Sequence, residues 1–229
     1  MEPVLISWSG GKDCSLLLHE LRRAGEMEPV GLLTTFTPEG RSGGHRVRRE
    51  LIERQADLAG LALHPVPLRE GAANVEYEAA MASALEGARQ QGIRCVAFGD
   101  IHLQSIREYR ERQMAGLGME AVFPLWGRPT TELAREILAL GFEATVVCVD
   151  TDRLDPSFAG RRYDEALLRD LPSAIDPCGE NGEFHTFVHG GPIFRRALEI
   201  QPAGPDPRGR FCFFDLRAAE ADSVRLVED

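Results

Sequence analysis

Apolar residues in the first half of the chain alternate between two spacings, and that alternation predicts a layered α/β fold. Val4 to Trp8 is an apolar run of strand length that leads into a glycine turn. Leu16, Leu17, Leu18 and Leu21 then recur at helical spacing, and Gly25 is placed to end that helix. The unit repeats. Val30–Phe36 reads as a strand, 37–44 as a polar, glycine-rich loop, and His45–Gly60 as a helix turning Val47, Leu51, Ile52, Ala56 and Ala59 inward. Leu61–Leu68 is a strand whose Pro65 and Pro67 suit an edge, because proline cannot donate to a ladder. A helix over Asn74–Gln91, a strand over Cys95–Phe98, a helix over Ile106–Leu117 and a strand over Ala121–Leu125 follow. Strands joined by helices argue for a parallel sheet covered on both faces. Ligands in such sheets sit beyond the carboxyl ends of the strands. Ser9–Asp13, Thr35–Gly44 and Gly99–His102 fall at such ends and are expected to converge on one crevice.

The pattern changes at Trp126-Gly127-Arg128-Pro129, so residues 1–126 and 127–229 are expected to form two domains, the second smaller and of α+β type. Its expected elements are a helix over Thr130–Ala139 capped by Thr130 or Thr131, a strand over Ala144–Val149, and a helix over Arg161–Leu171. A turn-rich segment over Asp176–Thr186, a loop over Pro202–Arg210 with three prolines, and a strand over Phe211–Leu216 complete it.

Composition narrows the function classes. The chain has 229 residues, 43% of them hydrophobic, enough for a substantial core. No apolar run approaches the roughly 20 residues of a membrane helix. Met1-Glu2-Pro3 begins no secretion signal. The five cysteines include no pair with two-residue separation, which argues against an iron–sulfur cluster or zinc ribbon and fits a reducing, cytoplasmic compartment. A net charge of -10 opposes a nucleic-acid partner. The clusters Arg46, Arg48, Arg49 and Arg107, Arg110, Arg112 read first as solvated faces, with Arg107, Arg110 and Arg161 as candidates to meet a phosphate or an anionic acceptor.

Candidate chemistry concentrates at Ser9-Gly10-Gly11-Lys12-Asp13. Lys12 is the only lysine; every other one of the 26 lysine and arginine side chains is arginine. Strand, glycine turn and helix start form a phosphate cradle, in which backbone N–H groups and the helix N-terminus face the anion. A Walker A loop would need glycine and Ser/Thr where this chain has Ile6 and Asp13, so γ-phosphate hydrolysis is not expected. Asp13 and Asp100 are candidate magnesium ligands, since hard cations take oxygen. Their plainer roles would be a first-turn acid and a helix cap. Glu180, Glu183 and His185 form a candidate acid–base cluster; Glu183 and His185 share a face if a strand begins there. Cys95, Cys148 and Cys212 are expected in the core and His64, His102 and His189 in structural places.

The glycine turn resembles the Ser-Gly-Gly-x-Asp-Ser signature of PP-loop ATP pyrophosphatases, with Cys14 where that family has serine. His45-Arg46-Val47-Arg48, Phe98-Gly99-Asp100-Ile101, Phe123-Pro124-Leu125-Trp126 and Asp176 through Thr186 extend the resemblance to the diphthine–ammonia ligase family of PP-loop proteins. It implies an ATP-binding PP-loop domain of the adenine nucleotide α-hydrolase type and a C-terminal domain closing over the substrate. It also implies ATP and ammonia as substrates, magnesium as cofactor, and an adenylated carboxylate intermediate opened to an amide with release of AMP and pyrophosphate. Ser9, Gly10, Gly11, Lys12, Asp13, Cys14, Thr35, His45, Gly99 and Asp100 would then face the nucleotide, with Lys12, Glu180, Glu183 and His185 catalytic. Where members that make diphthamide have Glu-Gly-Gly-Glu, an aromatic, glutamate and threonine, this chain has Glu180-Asn181-Gly182-Glu183-Phe184-His185-Thr186. That departure resembles a bacterial subgroup linked to cobalamin metabolism, and it leaves the carboxylate acceptor open.

Two other readings compete. A nucleotide sensor would bind ATP or AMP without turnover. A tRNA sulfur-transfer enzyme would need a catalytic cysteine pair and a basic surface, and Cys178 is the one cysteine placed in a motif turn. A homodimer is the default expectation for assembly.

Overall fold

The computed structural model describes residues 1–219. The first sheet has five parallel strands in the order β3-β2-β1-β4-β5: β1 (Glu2–Ser7), β2 (Met27–Phe36), β3 (Ala62–Pro67), β4 (Cys95–Ala97) and β5 (Glu120–Val122). Helices α1 (Lys12–Ala24), α2 (Arg49–Ala59), α3 (Asn74–Gln90) and α4 (Gln104–Gly116) make the crossovers. Alternation along β1 assigns the faces. Val4 and Ile6 join a cluster with Leu16 and Leu17 of α1 and Leu51 and Ile52 of α2, while Leu5 joins Met81 and Leu85 of α3 and Met114 of α4. The strand with two prolines, β3, lies at the edge as expected.

Four antiparallel strands form the second sheet, in the order β7-β6-β9-β8: β6 (Glu143–Asp150), β7 (Phe184–Gly190), β8 (Ile200–Arg208) and β9 (Phe211–Ala218). Helices α5 (Thr130–Ala139) and α6 (Glu165–Asp170) accompany it. The cluster beneath α1 and α2 continues without a break into this sheet through Phe142, Val146, Phe184, Phe187 and Val188. Backbone and side chain seal the seam: Val188 N donates to Gly10 O at 2.9 Å, and Arg41 and Arg48 both pair with Asp215.

Four local expectations change. Pro202–Arg210 is not a loop, because most of it lies in β8, which pairs with β9 on one side only; an edge tolerates the missing donors of Pro202, Pro205 and Pro207. The second helix begins at Arg49 rather than His45; residues before it form bridged turns, with Arg46 at φ 54°. The helix expected over 161–171 shrinks to α6, where the Asp164 side chain caps by accepting from Leu167 N at 2.8 Å. Thr130 caps nothing; its hydroxyl donates to Asp176 at 2.6 Å. Of the second expected domain, residues 220–229 lie outside the described residues. Among the described residues no helix is long and apolar enough to cross a membrane.

Candidate active site

Strand order reverses between β1 and β4, and the ends of these two strands frame a cleft, as a doubly wound sheet dictates. The cleft has two adjoining lobes, both touched by Ser7, Ser9, His45, Arg110 and His185. One, of about 730 Å³, lies along β2 beside Thr34, Thr35, Asn74 and Tyr77. The other, of about 470 Å³, is floored by Lys12, Asp13 and Cys14 and by Gly99 and Asp100. Its far wall is 178–182 with Phe184, His185 and Thr186. The three strand-end segments therefore meet, although their partners differ from expectation at several points.

Gly10 turns the chain at φ 80°, with Ile52 and Gln55 packed where a side chain would stand. Gln55, wholly buried on the apolar face of α2, holds the turn by accepting from Trp8 Nε1 at 2.9 Å and donating to Gly10 O at 3.0 Å and to Val188 O at 2.5 Å. Sequence reading missed Gln55, yet a polar residue among Leu51, Ile52, Ala56 and Ala59 was a visible signal. Ser9 Oγ accepts from Gly11 N at 3.3 Å and meets Cys14 Sγ at 3.4 Å, so both side chains brace the turn from inside. Gly99 lets β4 pass close to α1: a methyl there would stand 3.2 Å from Cys14 N.

Lys12 is 2% exposed. Its ammonium donates to Asp13 Oδ2 at 2.9 Å and to the carbonyl of Cys178, and sits 5.8 Å and 5.6 Å from the ring centres of Tyr163 and Phe184. Burial disfavours its charge, but Asp13 and the other acidic groups around it outweigh that and hold the ammonium above the ordinary lysine range. Its backbone N–H donates to Thr186 Oγ1 at 3.1 Å. The C-terminal motif is thus fastened onto the glycine turn by a lysine and a threonine.

The expected cluster of Glu180, Glu183 and His185 separates into three environments. Glu180 faces the cleft and accepts from Ile101 N at 3.3 Å. Burial, with Asp13 and Asp100 nearby, pushes its carboxyl up to about 7. Glu183 is buried and turned into its own loop, accepting from Asp176 N at 3.2 Å and from Asn181 N and Nδ2, both at 3.0 Å. Its contacts organise the turn, and it is not among the residues that line the two lobes. His185 stacks on His45 with ring centres 4.4 Å apart, and burial pushes it down to about 4. His45 is likewise held well below its ordinary value by burial, then by His185, and meets the carbonyl of Thr186 at 3.2 Å. At neutral pH both rings are uncharged, so His185 is a poor acceptor for a proton from ammonium. The stacking joins elements far apart in sequence and left no signal in it.

These shifts give opposite pH dependences. Folded Glu180 keeps its proton to about 7, whereas an unfolded glutamate releases it near 4.5, so its contribution to stability falls as pH rises through that window. Glu180→Gln is expected to raise the melting temperature relative to wild type at pH 8 and to lose that advantage at pH 4.5. An equal effect at both values would refute the assignment. Folded His185 stays neutral to about 4 while the unfolded side chain protonates near 6.5, so it withdraws stability as pH falls between these values.

Asp13 Oδ1 is buried without a hydrogen-bond partner, and Asp100, raised by burial and by Asp13 despite Arg110, lies across from it. Among the described residues no three His, Cys, Asp or Glu side chains are grouped to hold a metal. The donor set fits a hard cation shared with a ligand's phosphates, the usual arrangement for magnesium. Asp100 caps no helix, since α4 starts from Leu103. Thr35 lines the larger lobe, where Gly43 packs against its hydroxyl. The arginines of the two clusters mostly pair with acids: Arg46 with Glu70, Arg48 with Asp215, Arg49 with Glu53 and Arg107 with Glu111. Cys95, Cys148, Cys178 and Cys212 are buried free thiols, and burial pushes Cys178 up to about 12.

Residues 129–218, which include the far wall of the cleft, match the family model for the diphthamide synthase C-terminal domain. The diphthine–ammonia ligase of Rattus norvegicus is 28% identical over 116 residues, covering 48% of this chain and 43% of that protein. That of Schizosaccharomyces pombe is 23% identical over 136 residues, covering 57% and 22%. The matched part thus spans less than half the length of these relatives. Among solved structures, a predicted subunit of tRNA methyltransferase from Methanocaldococcus jannaschii is 17% identical, with a TM-score of 0.39, covering 84% of this chain and all of that one. Residues 129–218 are thus similar to the diphthamide synthase C-terminal domain, and the chain is similar over part of its length to diphthine–ammonia ligases.

Proposed function

We propose that the protein is an ATP-dependent amide ligase that adenylates a carboxylate and passes it to ammonia, releasing AMP and pyrophosphate. The observation that carries this reading is the joined cleft: a glycine turn at the start of α1 faces a wall supplied by the domain that matches the family. The larger lobe has room for a nucleoside beside Thr34 and Thr35, and the smaller one for phosphates over the first turn of α1. An oxygen of the acceptor carboxylate attacks the phosphorus nearest the sugar, and pyrophosphate leaves with the electrons of the broken bond. Ammonia then attacks the acyl carbon and AMP departs. Glu180, with a proton affinity near neutrality, is the group suited to take the proton that ammonium must lose. Asp13 and Asp100 are suited to hold magnesium, which when bound screens phosphate charge. The acceptor belongs to the class of carboxylates that reach Glu180.

The test is to incubate the protein with α-labelled ATP, magnesium, ammonium and a panel of carboxylates, and to separate the products. AMP and pyrophosphate are expected, dependent on acceptor and ammonium. ADP and orthophosphate would overturn the reading. Tight nucleotide binding with no turnover on any acceptor would make the protein a sensor instead.

A further inference from the structure

Arg110 on α4 and Lys12 are the arginine and lysine that line the two lobes among the described residues. Lys12 is enclosed by Asp13, the Cys178 carbonyl and two rings, so its charge is already answered by the protein. Arg110 is placed differently. It touches both lobes and is thus at their junction. Its guanidinium lies over the Phe98 ring, 4.9 Å from the centre, which fixes its plane. Nη1 donates to the Tyr77 hydroxyl at 2.9 Å, a neutral partner. Nε is buried and makes no hydrogen bond; its nearest acid, Asp100 Oδ2, is 3.8 Å away, beyond bonding distance. By contrast Arg107, Arg161 and Arg48 each donate to a carboxylate at 2.5 to 2.7 Å. A guanidinium at the junction of two lobes, whose one hydrogen-bond partner is a neutral hydroxyl and whose acid is beyond bonding distance, is left able to serve an anion that the protein chain does not supply.

We infer that Arg110 is the anchor for the phosphate group nearest the sugar, held where the nucleoside lobe meets the phosphate lobe. The inference rests on the nucleotide reading above and assigns the residue that reads the nucleotide's charge at the reacting phosphorus. Arginine is suited to this place because its fork can give two parallel N–H donors to one oxyanion while its face stays on Phe98. Asp100, Asp13 and Glu180 also border this lobe, so an anion here is most favourable when it arrives with a cation for those carboxylates.

The test compares AMP with adenosine, which differ only by that phosphate, by calorimetry with magnesium present. In Arg110→Gln the Kd for AMP is expected to rise at least 10-fold, while that for adenosine changes less than 2-fold. Arg110→Lys, which keeps the charge but loses the fork and the flat stacking, is expected to recover only part of the affinity for AMP. Retained adenosine binding shows that each variant is folded. Equal losses for AMP and adenosine would overturn the inference by making Arg110 a pocket-shaping residue. Unchanged AMP affinity would also overturn it, leaving the acceptor carboxylate as the anion Arg110 meets. Failure of the wild-type protein to bind either ligand would instead overturn the nucleotide reading itself.

Discussion

Lys12→Met should lower the rate of AMP formation at least 10-fold, equivalent to about 1.4 kcal/mol in the barrier, and should also lower the melting temperature. Methionine fills similar space between Tyr163 and Phe184 but leaves the Asp13 carboxylate and the Cys178 carbonyl without their donor. A hydrogen bond involving a charged group contributes roughly 1.5–3 kcal/mol, and most of this site is out of water. Both consequences arise because one ammonium joins the glycine turn to the loop that carries Glu180. Lys12→Arg should not rescue the protein. The buried ammonium donates to Asp13 and to the Cys178 carbonyl as a compact point charge, which a planar guanidinium fork does not reproduce. Wild-type rates in Lys12→Met, measured beside an unchanged melting curve, would remove the lysine from both roles.

Gly10→Ala should be at least as damaging, and through the backbone. A β-carbon at position 10 would stand 2.6 Å from Ile52 Cδ1 and 2.8 Å from Gln55 Oε1, at a φ of 80°. The left-handed conformation alone costs an L-residue roughly 1–2 kcal/mol, and overpacking adds roughly 1–3 kcal/mol. For a chain of this size each kcal/mol lowers the melting temperature by about 2–4 °C. Relief would push Gln55 away from Gly10 O and Val188 O, and so loosen the turn from β7. Thermal melts and ATP binding should therefore fail together. A variant that melted like wild type yet lost ATP would show that the glycine serves the ligand alone.

Several of the expected residues that line the cleft lie at strand ends. Thr35 lies in the last residues of β2, and Ser9 and Gly99 lie just beyond β1 and β4; a parallel sheet brings such ends to one side. For Glu183 and His185, spacing reports which residues share a face, not where their partners stand. Glu183 finds three donors within its own loop, and His185 finds His45, a residue of the other sheet's side. Pro202–Arg210 misled for a related reason: prolines exclude a central strand but not an edge, and edge or loop is a choice made by the neighbouring strand.

The order of apolar runs, the glycine turn and its lone lysine were set by the chain itself, because strand, helix and turn preferences act over a few neighbouring residues. Which carboxylate keeps a proton near neutrality, which histidines stay uncharged and which arginine at the cleft meets only a neutral hydrogen-bond partner were decided only by tertiary packing. Those properties depend on water being removed and on partners brought together from distant parts of the chain, and no local pattern encodes either.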